Sequence, residues 1–74
     1  MTARNYWHLT DREIQVIEAM MDVESNKGIA NMLHIELKTV EQHMQNIRRK
    51  MGVHSKVGVA LKWDRTQRPI RETV

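Results

Sequence analysis

The chain has 74 residues, with 41% hydrophobic and 28% charged side chains, one Pro, three Gly and no Cys. That length allows one small domain and excludes a second, and the balance is that of a folding chain rather than a disordered or fibrous one. Without cysteine there is no disulfide framework and no thiolate zinc site, so the apolar core must stand alone or be supplemented by dimerisation. Apolar runs such as Ala19-Met20-Met21 fall far short of the ~20 residues of a membrane span, and no signal-peptide core is present. The expected location is the cytoplasm, with no membrane partner. Net charge is +3, unevenly spread. Residues 1–37 carry three basic and six acidic side chains, a net −3, whereas residues 38–74 carry nine and three, a net +6. A basic half suits a polyanionic partner, although a solvated basic face has the same composition.

In chain order, residues 1–8 form an arm holding Tyr6, Trp7 and His8, without periodicity. Thr10-Asp11-Arg12-Glu13 then reads as a capping box, with Leu9 and Ile14 spaced for a hydrophobic staple. A first helix is predicted over 10–22, with Val16, Ile17, Met20 and Met21 as its apolar stripe. Ser25 or Asn26 caps a short second helix that buries Ile29, Ala30 and Leu33. His34-Ile35-Glu36 is a three-residue break. From Leu37 to Met51 the apolar positions Leu37, Val40, Met44, Ile47 and Met51 advance by 3, 4, 3 and 4, an uninterrupted helical period. Arg48, Arg49 and Lys50 suit the last turn, and Gly52 suits a left-handed stop. Ser55 caps a fourth helix through Trp63, apolar on more than one face. Residues 64–74, from Asp64 onward, lack any period and are expected to be a mobile basic tail.

Four short helices, the second and third joined by a tight turn with cations beyond it, predict an all-α helix-turn-helix domain over 9–63. The motifs Leu9-Thr10-x-Arg12-Glu13, Asn26-Lys27-x-Ile29-Ala30-x-x-Leu33, Lys38-Thr39-Val40-x-x-His43 and Lys50-Met51-Gly52-Val53 with Lys56 resemble the LuxR/NarL-type DNA-binding domain of bacterial transcription regulators. The resemblance implies a four-helix domain whose third helix enters the major groove. It also implies a fourth helix that dimerises and two half-sites related by a two-fold axis. Val57, Ala60 and Leu61 are the expected homodimer contacts.

With Val40, Met44, Ile47 and Met51 inward, the outward positions near the start of the third helix include Lys38, Thr39, Glu41, Gln42 and Gln45. Gln can pair with adenine and Glu can accept from the cytosine amine, so Glu41, Gln42 and Gln45 are the expected base contacts, Glu41 either reading cytosine or weakening affinity. Lys38, Thr39, His43, Arg48, Arg49 and Lys56 are the expected phosphate contacts; the family pattern supports Thr39 and Lys56, and His43 either reaches a phosphate or packs at the core edge. Glu36 stands where relatives commonly carry a capping Ser or Thr, and Gly28 where a polar helix former is usual.

No phosphate loop, nucleophile–base pair or carboxylate pair at helical spacing is present, and His8, His34, His43 and His54 lack metal-ligand spacing. No enzyme activity, metal or cofactor is expected. The reading is a bacterial or phage transcription regulator on double-stranded DNA, either a stand-alone protein or an excised domain. The rival is an adaptor of the same fold that binds RNA polymerase or another regulator through the fourth helix with Tyr6, Trp7 and Trp63.

Overall fold

Thr10 sets the first boundary. In the computed structural model, which describes residues 5–67, the Thr10 Oγ1 accepts from the Glu13 amide at 3.1 Å and Glu13 Oε1 accepts from the Thr10 amide at 2.8 Å. The reciprocal box closes, and α1 runs over Asp11–Asp22. Ser25 begins α2 (Asn26–Leu33) by accepting from the Gly28 amide at 3.0 Å, which resolves the choice between Ser25 and Asn26.

The end of α2 is a left-handed His34 (φ 58°), after which the Ile35 amide donates back to the Ala30 carbonyl at 3.0 Å. This closes the end of the helix as a Schellman turn does, and the chain re-enters helix at Leu37 after the expected three residues. Helix α3 (Leu37–Met51) starts at Glu36 without a side-chain cap and stops at Gly52 (φ 70°), the conformation for which a residue without Cβ is favoured. Helix α4 (Lys56–Gln67) starts with Ser55 Oγ accepting from the Gly58 amide at 3.0 Å.

The core draws on every helix: Val16, Ile17, Ala19 and Met20 from α1, Ile29 and Ala30 from α2, Val40, Met44, Ile47 and Met51 from α3, and Val59 and Trp63 from α4, with Leu9 beneath. Helix α1 packs against the other three, and α3 packs against α2 on one side and α4 on the other. Two long-range ties fix this arrangement. Lys50 Nζ reaches Glu13 Oε1 at 2.7 Å, joining the end of α3 to the start of α1. Lys62 Nζ donates to the Met51 carbonyl at 2.8 Å, joining α4 to the end of α3.

Four expectations need correction. Met21 and Leu37 are exposed rather than buried, because each falls at the margin of its helix's apolar stripe and Ala19 takes the inward position on α1. Helix α4 continues four residues past Trp63 to Gln67, so residues 64–67 are helix and not tail; residues 68–74 of the expected tail lie outside the described residues. The described part of the arm, residues 5–8, lacks periodicity as expected and is held by side chains. Asn5 pairs with both backbone groups of Leu9 at 2.8 Å, and Trp7 lies against Trp63 with ring centroids 6.4 Å apart. Trp63 is therefore buried and Trp7 half-buried, which withdraws both from the exposed aromatic surface of the adaptor reading and leaves only Tyr6 there.

Candidate nucleic-acid interface

A helix turns about 100° per residue, so burial of Val40, Met44, Ile47 and Met51 points Lys38, Gln42, Gln45 and Arg49 in one line directly away from the core. All four are exposed. Glu41 and Arg48 flank this line on one side, and Thr39, His43 and Lys50 flank it on the other. Thr39 and Glu41 are exposed, and His43 and Arg48 are half-buried. No ion pair among the described residues engages Lys38, Glu41, Arg48 or Arg49, which leaves these groups available to a partner.

The fold separates the expected basic cluster at the end of α3. Arg48 and Arg49 remain beside the outward line, whereas Lys50 turns to the largely buried Glu13. Lys56 is likewise set apart from that line. Its ammonium donates to the Glu24 carbonyl in the α1–α2 connection, beside a shallow groove bordered by Met20, Met21, Val57 and Ala60. Its side chain ties α4 to the α1–α2 connection, at the edge of the surface that α3 presents.

The same groove is continuous with the outer face of α4. Val57 is 66% and Leu61 60% exposed, while Ala60 is half-buried. Two apolar residues four apart on an otherwise polar helix face form a surface that water does not favour.

His54 was not among the expected contacts. It lies in the α3–α4 connection and lines a hollow with Gln45, Arg48, Arg49, Gly52 and Val53. A lone histidine in a bend has no periodic partner, and no local sequence signal marks it. Among the described residues no group of three or more His, Cys, Asp or Glu could hold a metal ion, and no helix is long and apolar enough to cross a membrane.

A helix entered through a three-residue turn, braced by α1 and presenting a polar and cationic line to solvent, defines a helix-turn-helix domain. Residues 8–62 match the family described as bacterial regulatory proteins, luxR family, and the chain belongs to that family, one of regulators and not of enzymes. It is 47% identical over 47 residues to the uncharacterized response regulatory protein YgeK of Escherichia coli K12, covering 64% of this chain and 32% of that protein. It is 40% identical over 53 residues to the nitrate/nitrite response regulator protein NarP of the same organism, covering 72% and 25%. It is 37% identical over 54 residues to the response regulator protein VraR of Staphylococcus aureus, covering 73% and 26%. The chain thus spans a quarter to a third of the length of these relatives. No solved structure matches it significantly.

Proposed function

We propose that this domain binds double-stranded DNA in a sequence-dependent way and regulates transcription, with α3 lying in the major groove. The observation that carries this reading is the exposed line Lys38, Gln42, Gln45 and Arg49 on a helix whose opposite face is fully buried. Gln42 and Gln45 offer amide pairs suited to adenine, and Glu41 beside them offers an acceptor for the cytosine amine. Lys38, Thr39, His43, Arg48 and Arg49 approach the flanking phosphates, with Lys56 at the margin; such contacts set position without reading sequence. The domain pairs with a second copy through Val57, Ala60 and Leu61 on α4, so that two recognition helices address two half-sites. It works in the cytoplasm.

Selection of bound sites from a random duplex pool tests the reading directly. The wild-type chain should enrich one sequence. Gln42→Ala should lose preference at one position, a discrimination of roughly 1–3 kcal/mol, while its affinity for non-specific duplex stays nearly unchanged. A uniform loss on all sequences would remove Gln42 from the base-reading set. The adaptor reading, in which the same fold binds RNA polymerase or another regulator, draws on exposed Val57 and Leu61 and on the exposed carboxylates Glu36 and Glu41. Retention on duplex DNA at low salt that falls steeply as salt rises favours DNA. Absence of retention favours the adaptor.

A further inference from the structure

The hollow at the end of α3 is lined by Gln45, Arg48, Arg49, Gly52, Val53 and His54. Its wall therefore carries two guanidinium groups and an imidazole and no carboxylate. Gln45 belongs both to this hollow and to the outward line of α3, so the hollow opens beside the surface proposed to face base pairs. At Gly52 no heavy atom lies within 4 Å of the position a Cβ would occupy, which leaves the backbone there open to close approach. Lys50 is committed to Glu13, whereas Arg48 and Arg49 have no ion pair among the described residues.

A helix C-terminus is ordinarily a poor place for an anion, because the aligned peptide dipoles leave about half a negative charge there. In this chain two of those carbonyls, of Arg48 and Met51, have donors. The Gly52 and Val53 amides both donate to the Arg48 carbonyl, and the Lys62 ammonium donates to the Met51 carbonyl at 2.8 Å. Two full positive charges then face what remains of the partial one.

We propose that this hollow holds a backbone phosphate of the bound duplex, with Arg48 and Arg49 supplying charge and His54 supplying an N–H donor. Guanidinium forks match phosphate oxygens in two-point geometry. A phosphate fixed here sits at the end of α3 remote from its entry into the groove, so it sets how far the helix penetrates and which bases Gln42 and Gln45 meet. The proposal rests on the DNA-binding reading above.

The test titrates the chain with a short mixed-sequence duplex over a range of salt, with helical circular dichroism confirming that each variant is folded. His54 is exposed and outside the helices, so substitutions there leave the core intact. His54→Glu should weaken binding about tenfold on every sequence, since a like charge is placed against the phosphate. His54→Arg should strengthen it and steepen the slope of log K against log salt by about 0.9, one further counterion. Gln15→Glu, on the exposed face of α1, makes the same change in net charge and should have a much smaller effect. Equal losses from His54→Glu and Gln15→Glu, or retention that neither change at 54 alters, would overturn the hollow as a phosphate site while leaving DNA binding in place. Failure of the wild-type chain to bind duplex at low salt would overturn the DNA reading itself, and this proposal with it.

Discussion

Glu13 serves two partners through one oxygen. Its Oε1 accepts from the Thr10 amide and from Lys50 Nζ, at 2.8 and 2.7 Å, with the carboxylate 4% and the lysine 34% exposed. Burial alone pushes the Glu13 carboxyl up, but hydrogen bonds from Lys50 and Thr10 and the ammonium charge hold it below its ordinary value of 4.5. A carboxyl depressed in the folded state adds its stability in full above the unfolded value and loses it as pH falls through the folded one. Glu13→Gln keeps a neutral acceptor for Thr10 and gives up the charge. It should be less stable near neutral pH by about 1–3 kcal/mol and should lose less than wild type on acidification. Urea unfolding near pH 7 and near pH 3 checks both expectations, and the same acid loss in both proteins would remove Glu13 from the response. The cap itself was legible in the sequence because Thr10 and Glu13 are three residues apart. Lys50 was not, since 37 residues separate it from Glu13 and Arg48-Arg49-Lys50 reads as three equivalent cations until packing turns one inward.

Helix boundaries were readable wherever a chemical signal marks them. Thr10, Ser25 and Ser55 cap as side-chain acceptors, and Gly52 stops α3 by its positive φ. The end of α4 had no such mark. Asp64, Arg65, Thr66 and Gln67 offer no apolar side chain to the core, so hydrophobic periodicity falls silent there. The helix continues on local bonds instead, with Thr66 Oγ1 donating to the Lys62 carbonyl at 2.7 Å. The outward line of α3 was legible for a related reason, because exposure follows once the four buried positions are known. The hollow beside it was not, since it depends on how the α3–α4 connection folds back. On α4, the expectation of apolar residues on more than one face divides cleanly: Val59 and Trp63 enter the core, while Val57 and Leu61 face out. Leu61→Glu should therefore leave helical content and stability nearly unchanged and abolish self-association. Sedimentation across a concentration series checks this, and identical profiles for the two proteins would place the contact elsewhere.

Across the whole molecule, charge follows architecture. Asp11, Glu18, Asp22 and Glu24 are exposed on or just beyond α1, whereas Lys38 and Arg49 are exposed on the outward line of α3. A polyanion approaching from solution is repelled by one helix and drawn to the other, so orientation is favoured before contact. The paired rings of the arm and α4 give this architecture a built-in optical gauge. Trp7 and Trp63 are the chain's only indoles, they lie 6.4 Å apart at a tilt of 40°, and neither stands on the outward line of α3. Intrinsic fluorescence should accordingly track denaturant unfolding in step with far-ultraviolet circular dichroism and remain constant while duplex is added. Quenching on addition of duplex would mean that occupancy of α3 is felt as far away as the arm.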